Sequence, residues 1–302
     1  MTFASDHADV EFSVIVPTCR RPETLARALA CLGPGTQTYS SASYEVIVTD
    51  DDPALGASAA LSRDFPWVRW TSGPGRGPAA NRNHGARQAR GRWLAFTDDD
   101  CLPDRAWLSA FFHAREENPS VRVLEGRTIA DRPRRTLLET APINETGGHL
   151  WSCNFAIENA LFRELGGFDE RFVWATMEDA DLAERLRERH LPFSFVPRAT
   201  VCHPWRSVDA RRTHERHLPS LLLFLQLHPQ HLPEHRPAVY GRNIVKGMFR
   251  HVLPALVHGR WAELANCWQG TVATLRVMWG VHRLQYSPPP SAPGPQPWPA
   301  LE

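Results

Sequence analysis

Three groups of carboxylates punctuate this chain: Asp50-Asp51-Asp52, Asp98-Asp99-Asp100 and the pair Glu178-Asp179. Taken singly, each is accounted for by turn chemistry or by capping of a following helix. Taken together, they could converge on one crevice, and breaking a sugar–phosphate bond is a chemistry that would give a reason for such convergence. A departing nucleoside diphosphate gains negative charge, which a hard divalent cation offsets while held by one or two carboxylates. An attacking hydroxyl must lose its proton, and an aspartate with an ordinary pKa of about 4 is ionised at neutral pH and can take it. The cation expected on this chemistry is Mg²⁺ or Mn²⁺.

Positioning such groups requires a scaffold, and the hydrophobic pattern supplies one. Phe12-Ser13-Val14-Ile15-Val16, Tyr44 to Thr49, Trp67 to Trp70 and Trp93-Leu94-Ala95-Phe96 read as buried strands. Between them, Pro22 opens a helix with Leu25, Leu29 and Leu32 on one face, and Pro78 to Gln88 reads as another. This alternation predicts an α/β fold with a mostly parallel central sheet and helices on both faces. Both aspartate triplets follow strand ends, where open α/β sheets bind ligands. Farther on, a helix is expected after Leu102-Pro103-Asp104, strands over Val121–Leu124, Leu150–Ile157, Phe193–Val196 and, before His203, Val201-Cys202, and helices over Asn159–Leu165 and Glu178–His190. Arg127 to Gly148 is expected to form loops. Beyond about Arg211 the pattern turns wholly helical, over Arg212–Leu227, Tyr240–Val257 and Trp261–His282. The expected organisation is a flexible segment 1–11, a catalytic domain 12–210, a helical region 211–286 and a proline-rich disordered tail 287–302.

Composition narrows the class. The 302 residues carry a formal net charge of +1, which does not point to nucleic acid. From Pro204 to Arg260, however, nine Lys/Arg face three Asp/Glu. With Leu221 to Leu225 and the tryptophans Trp261, Trp268 and Trp279, this basic bias allows peripheral contact with the inner membrane face, against the plainer alternative of a packed helical subdomain. The six cysteines form no CxxC pair and no zinc spacing, the first eleven residues hold no apolar core of a signal peptide, and no run of eighteen apolar residues exists. These features predict a cytoplasmic protein without a membrane span.

The motifs themselves carry a family resemblance. Val14-Ile15-Val16-Pro17-Thr18-Cys19-Arg20-Arg21-Pro22, Val46 to Asp51, Asn81-Arg82-Asn83, Trp93 to Asp100, Gly166 to Phe172 and Met177 to Leu182 occur in the order seen in family 2 glycosyltransferases. The resemblance spans about Phe12 to His203 and implies a GT-A fold with inverting transfer from a nucleotide sugar. It implies that Asp98 and Asp100 are the outer acids of a DxD motif. Asp100 would be the direct metal ligand, and Asp98 would contact the ribose or complete the metal's shell. It places Asp99, Pro17, Thr18, Arg20, Asp50, Asp51 and Arg82 on the donor side. Asp179 resembles the catalytic base, with Glu178 orienting the acceptor or supporting Asp179. Trp151 and Asn154 come from the strand that lines the sugar site, and Trp174 is a candidate to stack on a sugar ring, or else packs in its loop. His203 is a third candidate metal ligand, or a plain capping histidine.

The chain departs from the family pattern at Cys19-Arg20, where an aromatic and an Asn are commoner, and at Asp52-Pro53. The expected partners are a nucleoside-diphosphate sugar and a glycan or lipid-linked acceptor, in cell-surface glycan or glycolipid synthesis. Two rivals remain: an aspartate-nucleophile phosphohydrolase built on Asp98-Asp99-Asp100, and a sugar-nucleotide binder without catalysis.

Overall fold

The computed structural model describes residues 10–136, 139–207, 210–259 and 261–286. They divide into two compact units, with the boundary between Arg206 and Ser207. The expected proline-rich tail 287–302 lies outside the described residues, as does all of the expected flexible segment 1–11 except Val10 and Glu11. Those two residues accept backbone hydrogen bonds from Arg92 and Trp93.

The first unit is built on one eight-stranded sheet. Its strands are β1 (Phe12–Thr18), β2 (Tyr44–Asp50), β3 (Arg69–Ser72), β4 (Trp93–Thr97), β5 (Leu102–Pro103), β6 (Val123–Ala130), β8 (Asn154–Glu158) and β9 (Ser194–His203). A separate two-residue strand, β7 (Glu139–Thr140), lies in the connection between β6 and β8. The spatial order is β3-β2-β1-β4-β8-β6-β9-β5. The first four strands are mutually parallel, β8 runs antiparallel to β4 and β6, and β9 returns parallel to β6.

Every residue of β1, β2 and β4 is buried, as central strands covered on both faces must be. Their period of two divides the core. Val14, Val16, Val46, Val48 and Ala95 face one side with Leu25 and Leu29 of α1 (Pro22–Leu32) and Trp107 and Phe111 of α4 (Trp107–Glu117). Ile15, Ile47, Leu94 and Phe96 face the other, with Ala79 and Ala86 of α3 (Pro78–Arg87) and Leu182 and Leu186 of α6 (Glu178–Glu188). Helices therefore cover both faces. Fully burying one such Leu or Phe stabilises by about 1.5–3 kcal/mol relative to exposure.

Several expected boundaries move. The third strand is 69–72 rather than 67–70, and β6 runs on to Ala130 into the segment expected to be loop. β8 begins at Asn154 because Trp151 to Cys153 turn off the sheet. β9 is one ten-residue strand joining the pieces expected at Phe193–Val196 and at Val201-Cys202 before His203; a register shift between Gly126 and Arg127 breaks the simple alternation that would have marked its continuity along β6. Two short helices complete the unit, α2 (Gly56–Leu61), which follows Leu55 in a left-handed conformation, and α5 (Asn159–Glu164).

The second unit is helical: α7 (Ala210–Leu227), α8 (Pro237–Gly247), α9 (Leu253–Val257) and α10 (Trp261–Tyr286). The single helix expected over 240–257 is instead interrupted by a π-turn over Met248–Val252. Among the described residues, no helix is long and apolar enough to cross a membrane.

Candidate active site

The site is assembled at the carboxyl ends of β1, β2 and β4, where the chain leaves the sheet. Asp98, Asp99 and Asp100 follow β4, and three arginines converge on them. Arg82, on α3, donates to Asp98 at 2.6 Å and to Glu178 at 3.2 Å. Arg21, just after β1, donates to Asp99 at 3.0 Å and Asp100 at 3.4 Å. Arg206 donates through Nε to Asp100 at 2.8 Å and pairs with it again through the guanidinium tip.

Arg82 is only 2% exposed. Its burial works against its charge, yet Asp98 and Glu178 outweigh that and raise its pKa, so it stays a cation. One buried guanidinium serving two carboxylates cannot neutralise both. Burial works to raise Asp98, but the charges of Arg82 and Arg206 overcome it and hold this carboxyl below its ordinary value. Glu178, with the longer contact, goes the other way: burial and the neighbouring Asp179 push it up to about 8, against the pull of Arg82. Asp179 is also raised, chiefly by burial, although its oxygens accept the backbone N–H groups of Ser152 at 3.2 Å and Ala180 at 2.8 Å. Asp179 is more open than Glu178, which is 2% exposed. Both open α6 behind Met177, whose φ of +70° turns the chain sharply into the helix.

His203, at the end of β9, is buried and donates from Nδ1 to the Pro204 carbonyl at 2.7 Å. That bond fixes the tautomer, and burial lowers the ring's pKa, so Nε2 carries a bare lone pair. Nε2 lies 3.7 Å from Asp100 Oδ1, a buried oxygen with no hydrogen-bond partner. Two acceptor atoms thus face each other with no proton between them, an arrangement that suits a cation. Donor atoms of Asp98, Asp100, Cys101 and His203 all lie within 4.8 Å of one another. Burial beside Cys153 raises the Cys101 thiol well above its ordinary value, so it stays protonated. The usable set is two carboxylates and one imidazole, a predominantly oxygen environment that fits Mg²⁺ or Mn²⁺ better than a thiolate-seeking metal.

The first triplet is wired differently. Asp50 accepts from Asp52 N, Ser58 N and Ser58 Oγ, so both its oxygens are spent holding the turn into α2. Asp51 accepts from Gly75 N at 2.8 Å and Gly77 N at 3.2 Å and fixes the glycine-rich loop beside β3. Glycine is needed there: a Cβ on Gly73 would lie 2.3 Å from Asp51 Oδ1, and one on Gly77, at φ +96°, 2.3 Å from the Val173 carbonyl. Trp174, next to Val173, is 40% exposed beside this loop.

Other expected positions sort as follows. Pro17 and Thr18 are buried at the end of β1, and Thr18 donates to Asp99 at 2.8 Å. Asp99 is thus tied to β1 and Arg21, and burial still pushes its pKa up to about 6. Arg20, at φ +59°, turns outward and pairs with Asp52, so Arg21 rather than Arg20 reaches the second triplet. Trp151 is half-buried and stacks on His149 at 5.3 Å, one residue before the Ser152 amide that binds Asp179. Asn154 does not line the site. Its side chain accepts from Trp107 Nε1 at 2.8 Å and donates to the Arg127 and Ala199 carbonyls, pinning β8 to β6 and β9. Arg21, Ser152 and Arg206 were not singled out by sequence. The sequence signals are slight: a second arginine in Arg20-Arg21, and a cation three residues after His203.

The site thus joins a carboxylate–imidazole cluster at the ends of a mostly parallel sheet to a second acidic pair through one buried arginine. The description "Glycosyl transferase family 2" matches residues 13–165, half of the chain, and the protein belongs to that family. The Haemophilus influenzae protein named "Uncharacterized glycosyltransferase" is 29% identical over 205 residues, covering 61% of this chain and 64% of that protein. The Mycobacterium tuberculosis "Pre-mycofactocin glycosyltransferase" is 28% identical over 151 residues, 44% of this chain and 31% of its own length. The chain therefore matches less than two-thirds of either relative. Among solved structures, S. aureus TarS shares the fold, with a TM-score of 0.55 at 17% identity over 74% of this chain and 40% of TarS. The family assignment sets aside the phosphohydrolase reading of Asp98-Asp99-Asp100.

Proposed function

We propose that this chain is an inverting glycosyltransferase that moves a sugar from a nucleoside-diphosphate sugar to an acceptor hydroxyl. The observation that carries the reading is Arg82, which ties Asp98 on the donor side to Glu178 on the acceptor side through one buried guanidinium. Asp98, Asp100 and His203 would hold a divalent cation, which when bound offsets the negative charge on the departing diphosphate. The chain's own residues do the rest. Asp179, ionised, takes the acceptor hydroxyl's proton. The acceptor oxygen forms the new bond to the anomeric carbon as the bond to phosphate breaks on the opposite face, and the nucleoside diphosphate leaves. A raised pKa makes Asp179 a stronger base once ionised. Ser152 N–H and the start of α6 keep its carboxylate aimed. Arg82 holds Asp98 ionised.

The relatives named "Hyaluronan synthase" (Pasteurella multocida) and "Chondroitin synthase" (Escherichia coli), and the TarS structure described as a complex with UDP, support a UDP-sugar as the first donor to test and a glycan or lipid-linked acceptor. A screen of nucleotide sugars with and without Mn²⁺ tests the reading by release of nucleoside diphosphate; no binding of any donor at millimolar concentration would sink it. Asp179→Asn is expected to lower kcat by about 10²- to 10⁴-fold with donor affinity unchanged. Donor binding with no turnover by the unaltered chain on any acceptor pool would favour the non-catalytic binder.

A further inference from the structure

The second unit carries a surface that sugar transfer does not explain. Among the described residues, ten of the twelve large hydrophobic side chains that stand exposed lie between Val245 and Trp279. Their spacing is regular. On α10, Trp261, Trp268, Leu275 and Trp279 follow one another at intervals of seven, seven and four residues and are 73%, 70%, 50% and 63% exposed. At about 3.6 residues per turn these positions fall on one stripe of the helix. Val277 and Val281, buried, point the opposite way into the unit's own packing. The helix therefore has two apolar faces, only one of which is used by the fold. A second exposed stripe, Val245, Met248, Phe249, Leu253 and Leu256, runs along α8, the π-turn and α9, which pack against α10 within the same unit.

Charge decides what covers these stripes. Between Arg236 and Tyr286 there are seven Lys/Arg and a single acid, Glu263. Arg242, Lys246, Arg276 and Arg283 are exposed, and the Arg283 guanidinium lies 4.5 Å over the ring of Trp279. An aromatic with a cation folded over it, its apolar body beside a charged head, is suited to the boundary between acyl chains and headgroups. A second copy of the unit would bring seven like charges against seven, whereas an anionic bilayer surface answers both the tryptophans and the basic excess. No described helix crosses a membrane, so the contact would lie in the plane of the surface.

We infer that the C-terminal unit docks on an anionic lipid bilayer through the exposed stripes of α8, α9 and α10. The inference stands apart from the catalytic reading, because it rests on residues far along the chain from the acidic site.

The test is flotation of the full-length chain with vesicles of neutral phosphatidylcholine and with vesicles containing about a third phosphatidylglycerol. The chain is expected to float with the anionic vesicles and to be released by high salt. Trp268→Ser and Phe249→Ser change exposed side chains and should preserve folding; each is expected to reduce partitioning about tenfold. Arg242→Gln with Lys246→Gln is expected to reduce it about fivefold per charge on anionic vesicles only. Circular dichroism of each variant confirms that the helices persist. Failure to float with anionic vesicles, equal floating with neutral ones, or unchanged partitioning of the variants would overturn the proposal. So would a lipid-free dimer that Trp268→Ser converts to monomer, since a second copy would then be the occupant. Donor turnover by the same preparations is read separately, so loss of one property is distinguishable from loss of the other.

Discussion

The two aspartate triplets look alike on paper. Each is three acids at the end of a buried parallel strand, and β2 and β4 both neighbour β1. In the folded chain they do opposite things. Asp50 and Asp51 are consumed by backbone amides, Asp50 by the turn into α2 and Asp51 by the glycine-rich loop. Asp98 and Asp100 receive almost no backbone N–H; guanidinium groups and an imidazole surround them, and one Asp100 oxygen is left buried and unpartnered. An acidic run that accepts from the backbone is building a turn. One held by side chains, with an oxygen left buried and unpartnered, keeps a lone pair for a ligand.

The strongest way to break this contrast is to remove one carboxylate from each triplet and compare. Asp100→Asn is expected to lower metal-dependent transfer by about three orders of magnitude, since the stabilisation of leaving-group charge is worth several kcal/mol. Mn²⁺ binding, followed by calorimetry, should weaken in parallel. If Asp100→Asn kept full Mn²⁺ affinity, the facing pair of Asp100 and His203 would not be a cation site.

Asp50→Ala should show the opposite profile. Losing the acceptor for Ser58 N, Ser58 Oγ and Asp52 N leaves partly buried donors unpaired, which costs about 1–3 kcal/mol of stability. Urea denaturation would read that loss, while Mn²⁺ affinity should stay at the unaltered value. A stable Asp50→Ala protein with weakened cation binding would merge the two triplets into one site and end the comparison.

Sequence made one half of this contrast legible and hid the other. The apolar runs of β1, β2 and β4 and the leucine spacing of α1 mark the sheet and place both triplets at the carboxyl ends of its central strands, because burial on two faces leaves an unambiguous pattern. β9 reads in the sequence as two pieces, Phe193–Val196 and the run before His203, because Pro197 and Arg198 interrupt its apolar positions and the shift at Gly126 upsets the alternation. α2 was not seen at all; it is six residues long, and a buried side chain from β2, Asp50, helps hold its first turns. Within the site, the acids could be read but their cations could not. Arg21 rather than Arg20 meets Asp99 and Asp100 because Arg20 adopts a left-handed φ, a one-residue switch that no pattern of residue types declares. Arg206 arrives from 106 residues away in sequence.

The smallest effect concerns how charge is shared around the second triplet. Arg82 holds Asp98 more closely than Glu178, and Glu178 is left with its pKa near 8 against an ordinary glutamate value of 4.5. The native state therefore keeps a proton on Glu178 that the unfolded chain has already released at neutral pH. For a group raised on folding, its contribution to stability is fully present below the unfolded pKa and is lost as pH rises through the folded one, here between about 4.5 and 8. Glu178→Gln mimics the protonated form and removes that loss. In EDTA, urea midpoints of the two proteins should agree near pH 5 and separate toward pH 8.5, with Glu178→Gln the more stable. A separation of the opposite sign would mean that Arg82 stabilises an ionised Glu178. One guanidinium would then serve both acids, and Asp98 would depend more on Arg206 for its lowered pKa.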